Sequence, residues 1–175
     1  MDSQYHKNLT AMMDRIALIE NSLFIGQQTA AENFYGTLRN VPMAKRLEMP
    51  VAEELQLGMC LGMSLEGILP IFFYQRMDFL PRAFDQLVNH LDLTETLSRG
   101  LFKPKVIIRV TVGLSGPLDV GLQHKKDLTE CLESTLHNIA IFKLARAEQI
   151  EPAYEEALNS DKSSILIEYQ DKYNE

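Results

Sequence analysis

The chain has 175 residues, of which 46% are apolar, and a formal net charge of −7. This length and composition suit one globular domain with an ordinary core, so we expect residues 1–175 to form a single domain whose core spans about residues 5–170. The negative charge argues against nucleic-acid binding, which needs a clustered basic surface. Cys60 and Cys131 are far apart and form no CxxC motif, so we expect two reduced core thiols with no metal or redox role.

The first third of the chain contains two predicted helices separated by a strand and a loop. Apolar side chains recur at helical spacing over residues 5–20. Residues 22–29 then indicate a short buried strand that ends at Gly26, and residues 30–47 are loop-like. The next helix is expected to begin just after Pro50, because acidic residues follow it and suit the positive end of a helix dipole.

The rest of the chain alternates strand-like and helix-like segments, which predicts an α/β fold. Continuous apolar or β-branched runs are typical of strands covered on both faces, so a mainly parallel central sheet in a three-layer sandwich is expected. The predicted strands are residues 68–75, 103–113, 137–145 and 163–170; residues 77–97 are amphipathic, 113–121 form a glycine-containing loop, and 147–160 form a helix.

The apolar run from Leu55 to Tyr74 is long enough to cross a membrane. Glu66, Pro70 and three glycines interrupt it, so a buried helix followed by a buried strand is the better interpretation. The N-terminal residues MDSQYHKNLT carry charge and have no apolar core, which excludes a signal peptide there. We therefore expect no membrane association and a cytoplasmic protein.

The segment EMPVAEELQLGMCLGMSLEGILP, residues 48–70, combines an acidic pair with regularly spaced glycines. Gly58 and Gly62 share one helix face, where a neighbouring backbone can approach closely, either inside the monomer or across a dimer interface. Glu53 and Glu54 either complement the helix dipole in solvent or place one acid in an apolar cleft, where desolvation raises a carboxyl pKa and allows proton exchange with a ligand. Spacing alone leaves both alternatives open.

This segment resembles the pyrimidine-binding domain of thiamine-diphosphate enzymes. The closest resemblance is to the beta subunit of the decarboxylase component of 2-oxo acid dehydrogenases and to the central region of transketolase. The resemblance implies the thiamine-diphosphate-binding fold and extends over most of the chain, through Arg109 in VIIRVTVG and His124 in GLQHKKD. The matching residues of the first two motifs are Pro50, Glu53, Gly58, Gly62, Gly67, Pro70, Ile71, Asp78, Phe79, Ala83, Asp85, Gln86 and Asn89.

The resemblance implies roles for particular residues. Relatives use a glutamate at the Glu53 position to hydrogen-bond N1′ of the aminopyrimidine, which promotes the imino tautomer that deprotonates the thiazolium C2. Tyr74, Gln75 and Phe79 are expected to pack the pyrimidine ring, although both aromatics also suit an ordinary core. His124 is expected to contact the substrate as a second catalytic residue, although a loop histidine is often only a surface residue.

The chain also departs from the family pattern. Gln27 follows Gly26 where relatives usually have glutamate, and Lys125 and Lys126 follow His124 where relatives usually have serine and glutamine. The sequence ends where the pyrimidine domain ends and contains no Gly-Asp-Gly motif or P-loop. The resemblance then implies that thiamine diphosphate is shared with a diphosphate-binding, alpha-like subunit, which carries the Mg²⁺. No metal is expected on this chain, and Gly58 and Gly62 are expected at the interface of a heterotetramer with paired copies of it.

Three functions remain open from the sequence. The first is a subunit of a split thiamine-diphosphate enzyme that acts on a small 2-oxo acid or ketose, by decarboxylation or by two-carbon or acyl transfer. The second is a specialised decarboxylase or carboligase subunit. The third is a catalytically silent interaction domain that has kept the fold.

Overall fold

The computed structural model describes residues 2–31, 33–113 and 121–174, in which a six-stranded sheet lies between two helical layers. The strands are β1 (Ser22–Gly26), β2 (Arg46–Glu48), β3 (Leu69–Tyr74), β4 (Ile107–Val112), β5 (Ala140–Leu144) and β6 (Ser164–Tyr169). The helices are α1 (Gln4–Ala17), α2 (Glu53–Leu65), α3 (Thr94–Leu97), α4 (Thr129–Thr135) and α5 (Ile150–Asn159).

Every neighbouring pair of strands is parallel, in the order β2-β1-β3-β4-β6-β5. The central strands β3 and β4 are buried along their whole length, as their continuous apolar sequences predict. Because all the strands run in one direction, their carboxyl ends meet at one edge of the sheet, which we call the carboxyl edge. Ligands of parallel α/β sheets bind at this edge.

Each face of the sheet packs against its own helical layer. Helices α1 and α5 cover one face, where Leu9, Phe24 and Phe73 belong to one apolar cluster. Helix α2, residues 77–91 and helix α4 cover the other face, where Leu57, Phe72 and Leu132 belong to a second cluster. The predicted three-layer α/β sandwich with a parallel sheet is therefore confirmed.

The first helix shows how local sequence fixes an element. The Ser3 hydroxyl caps α1 by accepting a hydrogen bond from the His6 backbone N–H at 3.0 Å. The predicted apolar stripe of α1 is buried, including Leu9 and Ile16. The helix ends at Ala17, close to the predicted boundary.

The structure differs from the sequence-based expectations at three places. Residues 77–97 form a 3₁₀ helix (Met77–Ala83), a π-helical turn (Gln86–Leu91) and the short α3. Pro81, which has no N–H for an α-helical ladder, lies inside the 3₁₀ part. The loop predicted over residues 30–47 contains the start of β2, which is short and only partly buried.

The third difference is Cys131, which is exposed on α4 and is not a core thiol, whereas Cys60 is fully buried. Most of the predicted loop 113–121 lies outside the described residues, since residues 114–120 are not described. No helix in the described part of the chain is both long enough and apolar enough to cross a membrane.

Candidate functional site

The start of α2 lies at the carboxyl edge of the sheet. The Met49 N–H donates to the Gly26 carbonyl at 2.9 Å, which extends the pairing of β1 with the segment that leads into α2. The Gln56 side chain is almost fully buried and donates to the Pro50 carbonyl, which fixes the entry to the helix. Glu53 is therefore held at the first position of α2, beside the end of β1.

Glu53 is buried but opens onto a cavity. Its carboxylate is only 2% exposed, and its Oε2 accepts a hydrogen bond from Arg82 Nε at 2.9 Å, while the Arg82 side chain itself is 66% exposed. The other oxygen, Oε1, has no hydrogen-bond partner among the described residues. Glu53 and Arg82 line an open cavity of about 860 Å³ together with Val51, Leu55 and Met59.

The neighbouring Glu54 is exposed. Of the two sequence alternatives for the acidic pair, Glu53 thus follows the one with a buried acid in a largely apolar cleft, and Glu54 follows the one with a solvated acid. A carboxylate with one free acceptor at the wall of such a cavity can accept a hydrogen bond from a heterocyclic N–H.

Tyr74 lies at the end of β3 and is only 2% exposed, with its ring packed edge-on against Phe72 at 4.4 Å between centroids. Its buried hydroxyl has no hydrogen-bond partner. Burial, and then the nearby Cys60 and the charge of Glu53, raises the pKa of Tyr74 well above its ordinary value, so the hydroxyl keeps its proton. Tyr74 is not among the residues that line the cavity beside Glu53, so its contact with a ligand, including stacking by its ring, stays a prediction.

The two predicted interface glycines have different surroundings. A Cβ at Gly58 would lie 3.3 Å from Gln86 Oε1, so this glycine allows close packing inside the chain. A Cβ at Gly62 would meet nothing within 4 Å, and Gly62 is exposed. The exposed Val51 and Leu55, at 71% and 55% exposure, lie at the opposite, N-terminal end of α2 from Gly62. The interface role of both glycines stays a prediction.

The remaining predicted site residues lie along the same edge. The Gln75 carbonyl accepts hydrogen bonds from Tyr35 Oη at 3.2 Å and from Thr111 Oγ1, and its side chain is half-buried. Phe79 meets the ring of His124 edge-on at 5.6 Å, and His124 Nδ1 is buried without a hydrogen-bond partner. Within the described chain, no hydrogen bond or ring contact joins Glu53 to His124, so Glu53 with Tyr74 and Phe79 with His124 are two separate groups.

Sequence reasoning missed Arg82 and Arg76. Arg82 lies 29 residues after Glu53 and pairs with it only because the 3₁₀ segment packs on α2. Arg76 follows β3, and its Nε is buried without a hydrogen-bond partner among the described residues. A positive charge directly after a buried strand was the signal available for Arg76, while no local pattern signals the Arg82 pairing.

In the part of the chain that the structure describes, no group of three or more His, Cys, Asp and Glu side chains is placed to hold a metal ion. Taken together, the parallel sheet, the buried carboxylate at the start of α2 and the adjacent cavity define an α/β domain with a candidate ligand site at the carboxyl edge. Residues 10–175 match the family described as "Transketolase, pyrimidine binding domain". The chain belongs to this family, which confirms the resemblance seen in the sequence.

Curated relatives are beta subunits of the pyruvate dehydrogenase E1 component. The chain is 29% identical over 140 residues to the one from Cyanidium caldarium, covering 80% of this chain and 40% of that protein. A chloroplastic beta-3 subunit from Oryza sativa subsp. japonica is 28% identical over 131 residues, covering 73% of this chain and 32% of the relative. The chain thus spans less than half the length of these relatives, and the predicted cytoplasmic location stays a prediction.

Solved structures show the same fold. One, described as "Split gene transketolase, inactive beta4 tetramer", superposes with a TM-score of 0.67 at 19% identity, covering 95% of this chain and 50% of that one. Transketolase from Campylobacter jejuni superposes with a TM-score of 0.71 at 15% identity, covering 97% of this chain and 26% of that one. At these identities the likeness supports the fold alone.

Proposed function

We propose that this chain is the pyrimidine-domain subunit of a thiamine-diphosphate-dependent enzyme that acts on a 2-oxo acid or a ketose. The observation that carries the proposal is the Glu53 carboxylate, which is buried at the start of α2 and has one oxygen free at the wall of a cavity. Membership of the transketolase pyrimidine-binding family supports this assignment. The names of the curated relatives support a 2-oxo acid as the substrate class.

The residues at the carboxyl edge fit an aminopyrimidine ring. Glu53 Oε1 would accept a hydrogen bond from the ring nitrogen N1′, while Arg82 holds Oε2 and fixes the orientation of the carboxylate. The unpartnered Tyr74 hydroxyl offers a further polar contact, and the apolar side chains of Val51, Leu55 and Met59 would shield the ring from water. When bound, thiamine diphosphate supplies the carbon nucleophile and the electron sink of the reaction.

Phe79 and His124 would lie on the substrate side of the site. The edge-on contact of Phe79 fixes the orientation of the His124 ring, and the buried, unpartnered Nδ1 of His124 leaves one nitrogen to exchange a hydrogen bond or a proton with the substrate. Gln75 would support the site through its carbonyl, which holds Tyr35 and Thr111.

We further propose that a diphosphate-binding domain on another polypeptide completes the site and carries the Mg²⁺. The 175 residues contain no Gly-Asp-Gly motif, and a similar structure is described as a split gene transketolase. The partner would be an alpha-like subunit in a heterotetramer with paired copies of this chain. Gly62 and the exposed Leu65 lie in the last turn of α2 and are a surface that such pairing would cover.

The test is co-expression of this chain with a candidate chain that carries a Gly-Asp-Gly motif, followed by assay of pyruvate and of ketose substrates with and without thiamine diphosphate. We expect cofactor-dependent turnover, and we expect Glu53→Gln to lower kcat by about 100-fold or more, because the group that exchanges a hydrogen bond with N1′ loses its charge. Glu54→Gln removes the same charge from the same helical turn and should keep activity within a few-fold. Equal activity of the Glu53→Gln and wild-type enzymes would refute the assigned mechanism.

A further inference from the structure

The described residues around Arg76 do not satisfy all of its hydrogen-bond donors. Arg76 follows β3 and the bend at Gln75 with an extended backbone, at φ −146° and ψ 144°. Its side chain is half-buried, its Nε is buried without a hydrogen-bond partner, and it belongs to none of the ion pairs found among the described residues. The described residues therefore withdraw the Nε end of a guanidinium group from water and supply no acceptor for that atom.

The two other arginines that are withdrawn from solvent show that the fold can satisfy such groups. Arg46, also half-buried, donates to the carbonyls of Val41, Leu38 and Thr29 and to Asn33 Oδ1. Arg109, fully buried, makes a bidentate pair with Glu168. Because a buried donor without an acceptor destabilises a protein, the Arg76 exception needs an explanation.

The place of Arg76 in the fold points to a ligand. It lies at the carboxyl edge of a parallel sheet, where ligands bind. The 3₁₀ helix that begins at the next residue carries Phe79, which packs against His124, and it contacts the Leu122–His124 turn. Among the described residues, His124 Nδ1 is also buried without a hydrogen-bond partner, whereas the nearby Asp78 carboxylate accepts from the Lys126 N–H at 3.1 Å and would not itself bind an anion.

Charge and geometry select the chemical class of the ligand. A guanidinium group matches the oxygens of a carboxylate or phosphate, to which it donates two parallel hydrogen bonds. Arg76 takes part in no ion pair among the described residues, so its charge is available to an anion, and Asp78, two residues further on, is the opposing charge that such an anion would have to avoid.

We propose that Arg76 binds the oxyanion of the substrate, which is the carboxylate of a 2-oxo acid or the phosphate of a ketose phosphate, and so sets substrate specificity. The inference rests on the proposed function for the substrate class. The anion subsite itself belongs to this chain and is present without a partner.

The first test is a titration of the chain alone, labelled with ¹⁵N and followed by NMR through the arginine Nε–H signals. The Arg76 signal is assigned by its loss in Arg76→Lys. At constant ionic strength, pyruvate or inorganic phosphate should shift this signal to saturation, while neutral methyl pyruvate should not, and the Arg46 signal should stay in place. A response to pyruvate alone identifies the 2-oxo acid class, and a response to phosphate alone identifies the ketose phosphate class.

The same titration defines failure. Weak binding of a small anion corresponds to a dissociation constant of about 1 mM. The proposal is overturned if neither anion moves the Arg76 signal at concentrations up to about 100-fold above that value. It is also overturned if methyl pyruvate moves the signal as much as pyruvate does. Arg76→Gln should weaken anion binding by about tenfold or more, and Arg99→Gln, which changes an exposed arginine elsewhere, should not.

A second test uses the co-expressed enzyme. Arg76→Gln should raise KM for the anionic substrate by about tenfold or more with kcat within a few-fold, because it removes binding that the ground and transition states share. A fall in kcat at unchanged KM would contradict the specificity role. If the co-expressed enzyme shows no cofactor-dependent turnover, the proposed function fails, yet a saturable Arg76 response in the isolated chain still supports an anion site.

Discussion

Two buried glutamates on opposite faces of the sheet show two different uses of a buried charge. Glu168, at 0% exposure, accepts from Arg109 Nε at 2.6 Å and Nη2 at 2.8 Å and from the hydroxyls of Tyr154 and Tyr173. Glu53, at 2% exposure, has one described hydrogen bond, which comes from a guanidinium group that is itself 66% exposed. The two glutamates are therefore buried to the same extent, but Glu168 has more hydrogen-bond partners than Glu53.

The difference indicates which charge serves the fold and which serves a ligand. The Arg109 guanidinium also bonds Thr37 Oγ1 and lies 5.1 and 5.0 Å from the Phe34 and Phe73 ring centroids, so its network is closed on all sides. A closed network holds β4 and β6 to the helical layer and has no acceptor left for a ligand. The Glu53 carboxylate, by contrast, has one described hydrogen bond, and Glu53 lines a cavity.

The largest expected effect is on protein stability, at the Arg109–Glu168 pair. Arg109→Met leaves Glu168 buried with only two phenol donors, which should lower the free energy of unfolding by about 3–5 kcal/mol. Urea denaturation followed by circular dichroism measures the change.

A double variant separates an uncompensated charge from lost packing. Arg109→Met combined with Glu168→Leu removes both charges, so it should recover much of the stability that the single variant loses. A double variant that is no more stable than Arg109→Met would show that packing around the guanidinium, rather than the stranded carboxylate, dominates.

The exposed position of Gly62 on α2 predicts an effect on assembly. Gly62 is an exposed glycine inside α2, so Gly62→Leu should raise the stability of the isolated chain by about 0.5–1 kcal/mol through helix propensity. If α2 pairs with another copy or subunit there, the same side chain should weaken assembly by about 1–3 kcal/mol, or roughly tenfold or more in the dissociation constant.

Sedimentation velocity of the complex, beside thermal unfolding of the chain alone, measures both quantities for Gly62→Leu. Gly62→Ala, which adds one methyl group, is the graded control and should weaken assembly less. Unchanged assembly in Gly62→Leu would place the interface elsewhere.

The sequence predicted the parallel three-layer fold because continuous apolar runs such as ILPIFFYQ and an amphipathic α1 leave few other arrangements. It also predicted a helix with a buried acid candidate directly after Pro50. It could not predict that Arg82 pairs with Glu53 or that Arg109 pairs with Glu168, because these contacts join residues 29 and 59 apart. The sequence predicted an amphipathic segment over residues 77–97 but not its 3₁₀ and π-helical parts, which pack on α2 and, at Pro81, lack the N–H of an α-helical ladder.

A smaller effect on stability is expected at the Arg82–Glu53 pair, which lines the cavity. Arg82→Gln removes the described partner of Glu53, but the guanidinium is mostly solvated, so the stability loss should be about 1 kcal/mol. Arg146→Gln is a matched control, because Arg146 is also 66% exposed but pairs with a Glu148 that is 68% exposed, and its stability loss should be smaller than that of Arg82→Gln. Losses equal to that of Arg109→Met would contradict the distinction between open and closed networks.

The smallest effect is expected at a third carboxylate, Glu48, at the end of β2 on the same edge as Glu53. Burial alone would raise the pKa of Glu48, but hydrogen bonds from the Ala30 and Gln28 N–H groups, at 2.7 and 2.6 Å, outweigh it, and the net pKa lies below the ordinary value. A carboxyl whose pKa is lower in the folded than in the unfolded chain contributes stability above the unfolded pKa and loses it as the pH falls through the folded pKa.

Glu48→Gln should therefore cost no more than about 1 kcal/mol at pH 7, because Glu48 is exposed. The difference from wild type should shrink as the pH falls below about 4, the ordinary glutamate range, since the wild-type carboxylate is then protonated. Urea denaturation of both proteins between pH 7 and pH 3 measures this difference. A gap that stays constant across this range would contradict this electrostatic account and would mean that Glu48 orders the turn after β1 through its shape rather than its charge.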